Sequence, residues 1–235
     1  MICLVDERIS EKCERSLLKR GFRVIKMPRT EKLGEAVASH PDMLLFYDNQ
    51  TLITSSEYCE RFPYIFTDIR EYSSTSLTFT DDVYEPSYPK DAIFNALRIG
   101  DHIFLKEDTI SSRVKEYAEK NGLNRVPVKQ GYPACTVLTL GNNAITGDEG
   151  MARALTSVGI KVTLISNGDI SLPPYDYGFI GGTAGVLGNT VYFLGNPMLH
   201  RDGDKIVKAI TEAGYKFEAL SDEPLSDLGR IIFIE

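Results

Sequence analysis

The chain has 235 residues, 43% of them hydrophobic and 25% charged, with a formal net charge of -7 at pH 7. That is enough apolar material to bury a core without staples. Lysine and arginine are not pooled into runs, which argues against a general binder of nucleic acid or of an anionic membrane. The four cysteines, Cys3, Cys13, Cys59 and Cys135, lack the close pairings of zinc sites and are too few to staple a fold of this size. Reduced thiols and a cytoplasmic location are therefore expected. Charge at Asp6, Glu7 and Arg8 follows the first apolar run at once, so no signal-peptide core is expected. No segment approaches the roughly 18 uninterrupted apolar residues of a membrane helix.

Residues 2 to 5 read as a buried strand. Ser10 caps an amphipathic helix through Arg20, with Leu17 and Leu18 on one face and Gly21 as its stop. Phe22 to Met27 is the next strand, followed by a short helical stretch near Glu31 to Val37. His40-Pro41-Asp42 then opens a strand to Tyr47, which turns at Asp48-Asn49 and returns over Thr51 to Thr54, a hairpin. The helix after Ser55-Ser56-Glu57 is short and ends at Pro63. Residues 70 to 90 are polar and tyrosine-rich without clear periodicity, and a loop this long is usually functional or mobile.

From Asp91 the hairpin theme returns: Ala92 to Ile99, a turn at Gly100-Asp101, Ile103 to Leu105, a helix from about Ser111 to Lys120, then Arg125 to Val128. It recurs as Thr136 to Leu140, a turn at Gly141-Asn142-Asn143, a helix from Asp148 to Val158, and Lys161 to Ile165. The next copy is Ala184 to Leu187, a turn at Gly188-Asn189, Thr190 to Leu194, a helix from Asp204 to Ala213, and Tyr215 to Leu220. The closing run from Asp227 to Glu235 supplies a first strand only, and the N-terminal stretch supplies the rest of the unit.

The hairpin turns thus recur roughly every 47 residues, and a period of this size reads as a solenoid, a propeller or a closed ring. One unit split between the termini favours the ring, because the terminal strands can then pair. A doubly wound α/β sheet is the competing architecture, for which Ile2 to Met27 is a fair opening.

The residues with chemistry cluster at two strand mouths. Cys135 stands between the turn Gly131-Tyr132-Pro133 and a run of β-formers, and His40-Pro41-Asp42 precedes the apolar run Met43-Leu44-Leu45-Phe46. A lone cysteine there is also a small buried hydrophobe. His40-Pro41-Asp42 can equally be a strand-entry turn in which Asp42 caps backbone N–H groups. His102, after a hairpin Gly-Asp, reads as solvated, and His200 sits in a loop before a helix capped by Asp202. Gly181-Gly182 and Gly188 are not a phosphate loop, because no Gly-Lys-Ser/Thr follows.

These features resemble the pentein superfamily of guanidine-modifying enzymes, which includes arginine deiminases, agmatine deiminases, dimethylarginine hydrolases and amidinotransferases. More narrowly, the whole chain resembles an uncharacterised bacterial branch of that fold defined only as a domain of unknown function. His40-Pro41-Asp42 is similar to the superfamily's His-x-Asp, and Gly131 to Thr136 to the turn before its cysteine, two units later. The resemblance implies an α/β fold of one domain, residues 1–235: a five-fold pseudo-symmetric ββαβ propeller, circularly permuted, whose terminal strands close the ring. The family's Glu-Gly-Gly-Asp motif falls on Ile180-Gly181-Gly182-Thr183. Ile180 and Thr183 stand where the carboxylates that hold the guanidinium cation should be, which argues against arginine-like substrates. Asp176 is the nearest carboxylate able to stand in.

The catalytic set implied is Cys135 as nucleophile, His40 as acid and base, and Asp42 to orient the imidazole or accept from substrate N–H groups. Asp176, Thr183, Tyr84 and Tyr88 are the expected substrate contacts, with the loop 70 to 90 as a lid. No metal or cofactor is called for. The expected partner is a small-molecule substrate or ligand, with no nucleic acid and no membrane, and oligomerisation is left open. Two functions compete: a thiol-dependent hydrolase or transferase acting on an amidine-, guanidine- or amide-like carbon, and a non-catalytic ring that binds a protein or small ligand.

Overall fold

The computed structural model describes residues 1–48 and 50–235. Capping residues start the helices where short polar side chains can take orphan N–H groups. Ser10 accepts from the Cys13 amide at 3.3 Å, Ser111 from Arg113 at 3.1 Å, and Asp148 from Met151 at 2.7 Å. They open Glu11–Lys19, Ser112–Lys120 and Glu149–Ser157. Asp202 does not act this way before Gly203–Glu212. Its side chain instead accepts from the Ser166 amide at 2.5 Å. In the first helix Cys13 and Leu17, four residues apart, form the buried face. Leu18, expected beside Leu17, is 52% exposed, since a one-residue step rotates about 100° around the axis.

Among the described residues there are five three-stranded sheets, and in four of them an antiparallel hairpin is followed by a helical crossover to a parallel third strand. They are Leu45–Asp48 with Thr51–Ser55 and Ser76–Thr80; Leu97–Ile99 with His102–Leu105 and Asn124–Pro127; Val137–Leu140 with Asn143–Thr146 and Lys161–Leu164; and Ala184–Leu187 with Thr190–Phe193 and Lys216–Ala219. The fifth pairs Ile232–Ile234 antiparallel with Ile2–Asp6, in register Ile2 to Ile234 and Leu4 to Ile232, and Ile2–Asp6 runs parallel to Arg23–Met27. The first and last strands therefore lie in one sheet. A two-residue parallel pairing of Ile170–Ser171 with Leu225–Ser226 lies outside this set. The architecture is mixed α/β in small sheets.

Several local expectations are corrected. Both strand mouths are single helical turns, Pro41–Leu44 and Pro133–Thr136, each with proline in the first turn, where its missing N–H is not needed. A 3-10 turn, Ile180–Thr183, stands before a third hairpin. Two of these turns are tied down alike: Thr54 Oγ1 donates to the Leu44 carbonyl at 2.8 Å and Thr146 Oγ1 to the Thr136 carbonyl at 2.9 Å. Pro63 likewise begins a second helix, Pro63–Tyr72, which buries Ile65, Phe66 and Ile69. With the strand Ser76–Thr80 it takes up the first half of the expected loop.

Residues 31 to 37 form turns rather than a helix, with Val37 N donating back to the Gly34 carbonyl at 3.0 Å. The expected strand Ala92 to Ile99 shrinks to Leu97–Ile99, because Ala92 to Ala96 coil inward and bury Asn95. Asn49, half of the expected Asp48-Asn49 turn, lies outside the described residues. No helix among the described residues is long and apolar enough to cross a membrane.

The largest apolar cluster joins Met27, Met43, Phe66, Phe94 and Ile103 with Ile2 and Ile234 of the terminal sheet. Each fully buried side chain of this kind contributes about 1.5–3 kcal/mol. Through Met43 and Leu44 this packing fixes the turn Pro41–Leu44 in front of its hairpin.

Candidate functional site

His40 is the residue before Pro41–Leu44 and is 1% exposed. Neither ring nitrogen makes a hydrogen bond. Nε2 lies 3.8 Å from Asp6 Oδ2, and Asp6 is already engaged by Arg8, Nη2 to Oδ2 at 2.6 Å and Nε to Oδ1 at 2.9 Å. Burial pushes the imidazole down to about 3, the pull of Asp6 being too weak to offset it and Arg8 adding to the effect. His40 is thus neutral at neutral pH. Its Cα and Cβ pack on Gly229, whose φ of +66° and lack of a side chain let the chain pass there.

Cys135 lies on Pro133–Thr136 and is 3% exposed. Its thiol donates to Asp42 Oδ2 at 2.8 Å and accepts from Asn95 Nδ2 at 3.3 Å. Asn95 also takes the Ala134 amide on Oδ1 at 2.8 Å and reaches the Asp42 carbonyl at 3.2 Å, so one amide fixes both partners. Burial, followed by the charges of Asp42 and Asp227, pushes the thiol well above its ordinary range near 9. Asp42 itself is pushed up to about 6 by burial, against the thiol and Arg230. Asp42 therefore meets the thiol, whereas the carboxylate beside the imidazole is Asp6.

Asp227 completes the site. It accepts from the Phe179 amide at 2.8 Å and from Gly229 N at 3.2 Å, and its carboxyl packs on Gly182. Burial pushes it up to about 7, with Asp42 adding to the rise and the two amides opposing it. Gly181 serves the thiol in the same way. A side chain there would meet the carbonyls of Ala134 and Val137 at 2.5 Å and of Cys135 at 2.6 Å, so the double glycine lets this turn sit against the one carrying Cys135.

One donor atom each from His40, Cys135 and Asp227 lies within 4.8 Å of the others, a set able to hold a divalent metal as well as an organic cation. The three share a cavity of about 350 Å³. Its walls are Tyr88, Tyr132, Tyr175, Tyr177 and Phe179, with Asp176 among them. A larger cavity, about 430 Å³, opens toward the hairpin turns and is lined by Asp42 and Arg230.

Of the residues expected from sequence, Cys135, His40, Asp176 and Tyr88 line one cavity, and Asp42 reaches it through the thiol. Two expected contacts do not. Tyr84 is 5% exposed, donates to the Leu44 carbonyl at 3.0 Å and packs edge-on against Phe94. Thr183 is fully buried and spends its hydroxyl on the Ile180 carbonyl at 2.7 Å. Of the residues 70 to 90 offered as a lid, Tyr88 alone lines the cavity. His102 is half-buried in its hairpin rather than solvated, and His200 is buried with Nδ1 accepting from the Asp202 amide at 3.0 Å.

Asp227 and Asn95 were missed. Asp227 carried a signal: it precedes Gly229-Arg230 and an apolar strand, as His40-Pro41-Asp42 precedes another. Asn95 carried none, lying in a stretch that reads as strand.

Solved structures share this fold. Dimethylarginine dimethylaminohydrolase from Pseudomonas aeruginosa, complexed with citrulline, is similar at 11% identity and a TM-score of 0.56, over 94% of this chain and 92% of that one. Agmatine deiminase from C. jejuni is similar at 9% identity and a TM-score of 0.54, over 94% and 86%. SxtG, an amidinotransferase from Microseira wollei, is similar at 11% identity and a TM-score of 0.53, over 96% and 88%. These are penteins, and the resemblance read from the two strand-mouth motifs holds at the level of fold. No curated protein matches by sequence. Matching its family model over residues 4–232, the chain belongs to the Family of unknown function (DUF6873).

Proposed function

We propose that the protein is a thiol-dependent hydrolase or transferase acting on a guanidinium or amidinium carbon. The observation that carries this reading is the meeting of Cys135, His40 and Asp227 within 4.8 Å in one cavity. At rest the thiol is protonated and the imidazole neutral, so the pair is not a preformed ion pair. A cation seated beside Asp227 offsets the negative field of Asp42 and Asp227 and brings the thiol pKa down, so the substrate itself arms the nucleophile.

The thiol proton passes to His40 as sulfur adds to the central carbon. His40 then protonates the departing amine, the carbon–nitrogen bond breaks, and an S-amidino cysteine remains. Water, deprotonated by His40, adds to that carbon and expels the thiolate, which recovers the proton. An amine acceptor in place of water gives transfer.

Fold likeness to guanidine-modifying enzymes supports this reading, as does the carboxyl of Asp227, which packs on Gly182 between Ile180 and Thr183, the positions where the family motif has its carboxylates. On the same ground we read residues 1–235 as one domain, a five-fold ββαβ propeller with its unit order circularly permuted. The pairing of Ile2–Asp6 with Ile232–Ile234 supports the closure. Four free cysteines accord with a reducing, cytoplasmic setting.

The buried, protonated thiol also favours a second reading, a non-catalytic binder of the same cations. Treatment with 2-chloroacetamidine, a cationic electrophile, separates the two. Catalysis predicts a single adduct on Cys135, formed at least about tenfold faster than with neutral iodoacetamide. Absence of that preference leaves only the binder.

A further inference from the structure

The cavity above Cys135 is matched to a cation that brings no carboxylate with it. Asp227 is buried on its lining and Asp176 is exposed there. Among the described residues, no lysine or arginine lines it. Arg8 and Arg29 line a separate cavity of about 390 Å³, which reaches Pro173 and Pro174. Arg8 is already committed to Asp6 and to the Ala36 carbonyl at 2.8 Å. Arg8 and Arg230, whose charges reach Asp227 and Cys135, line other cavities, so a substrate carboxylate would be desolvated beside Asp227 with no cation on the lining to pair with it, a penalty that reduces affinity well over tenfold.

What the cavity offers instead is aromatic surface. Tyr88 and Tyr132 stand with ring centroids 5.1 Å apart and tilted by 55°, and Tyr177 meets Phe179 edge-on at 6.5 Å. Tyr175 and Tyr177 remain 62% and 38% exposed, rings held open to solvent beside the carboxylates. A volume of about 350 Å³ lies at the small end of ligand pockets, room for a cationic head and one ring-sized group. Ring faces also attract the cation itself.

Resting on the reading of this site as a guanidinium or amidinium pocket, we infer that its ligands are guanidines or amidines bearing an aromatic or comparably apolar substituent and no carboxylate. The tyrosines at 88, 132, 175 and 177 hold the substituent, and Asp227 holds the charged head. Substrates of the arginine type are excluded by charge, not by size.

Calorimetric titration of the intact protein with benzylguanidine, methylguanidine, agmatine and arginine tests this. Benzylguanidine should bind most tightly, at least about tenfold above arginine. Tyr175→Ala and Tyr177→Ala, both at exposed positions, should weaken benzylguanidine about fivefold and leave methylguanidine within about twofold. Arginine or agmatine binding as tightly as benzylguanidine overturns the inference. So does an equal effect of the tyrosine substitutions on methylguanidine, or no binding by any guanidine. The titration does not need the thiol to react. Benzylguanidine binding with no preference of Cys135 for chloroacetamidine ends the enzyme reading alone, whereas selective capture of Cys135 with arginine as the best ligand ends this inference alone.

Discussion

Cys135 gives its thiol hydrogen to Asp42 across 2.8 Å, yet the two residues open into different cavities. The bond crosses the partition between a 350 Å³ pocket that takes Cys135, His40 and Asp227 and a 430 Å³ cavity that holds Arg230. A carboxylate in that position restrains the thiol rather than activating it, because its charge disfavours a second negative charge beside it.

Asp42→Asn should therefore make Cys135 more reactive. Removing the neighbouring charge lowers the thiol pKa, so alkylation by iodoacetamide at fixed pH near neutrality rises by roughly tenfold. Peptide mapping by mass spectrometry across pH gives the rate at each cysteine. In the unaltered protein half-buried Cys59 should label before buried Cys135 with this neutral reagent. A slower Cys135 in the variant would mean that Asp42 assists thiolate formation.

The buried titratable groups give opposite pH dependences of stability. His40 is held neutral to about 3 while an unfolded imidazole titrates near 6.5, so the unfolded chain binds the extra proton and stability falls as pH drops from 6.5 toward 3. Asp42 and Asp227, at about 6 and about 7 against 3.8 unfolded, keep their protons in the folded chain over a range where the unfolded chain has lost them, so stability falls as pH rises from about 4 toward 7. His40→Asn should remove an acid-side slope of about 1.4 kcal/mol per pH unit, and Asp227→Asn a slope of the opposite sign. Urea denaturation at a series of pH values reads both. Parallel stability curves for variant and parent would refute the assignment.

Gly181→Ala should cost more than about 2 kcal/mol, because its methyl meets the backbone carbonyls of Ala134 and Cys135 in the turn and of Val137 just after it at 2.5–2.6 Å. Gly122→Ala, at φ +62° with nothing within 4 Å, should cost about 1 kcal/mol from backbone strain alone. Equal midpoints in urea would show that the turn yields freely. Of the two, only the first substitution should alter capture of Cys135.

Tyr132→Phe should destabilise by about 2 kcal/mol. Its hydroxyl donates at 2.6 Å to Asp91, which is 5% exposed and has no partner for its other oxygen. Tyr88→Phe removes an exposed hydroxyl that accepts from the Gly131 amide at 3.2 Å and should cost less than about 1 kcal/mol. Thermal melts of the two variants side by side distinguish a buried carboxylate left unsatisfied from an amide at the rim that water can satisfy.

The repeating connectivity was legible because turn and helix chemistry is local. Ser10, Ser111 and Asp148 announce helix starts, and the hairpin glycines at 100, 141 and 188 announce turns, whatever lies around them. The stretch before each hairpin was harder to read. His40-Pro41-Asp42 and Pro133-Ala134-Cys135 look like strand entries by composition, yet proline at the first helical position and a threonine hydroxyl from the neighbouring strand turn each into a helical turn.

The sequence by itself determined the hairpin turns at Gly100, Gly141 and Gly188 and the helix starts at Ser10, Ser111 and Asp148, since each of these depends on neighbours within a few positions, and it nominated Cys135 and His40 through their resemblance to known motifs. Only the tertiary structure decided which carboxylate stands where. Asp227 enters from the far end of the chain, Asp42 turns to the thiol, Asp6 to the imidazole, and Thr183 and Tyr84 turn into the core. The physical reason is that charge and burial act through space: a group's pKa and partners are set by what packs against it, and those atoms come from segments far apart along the chain.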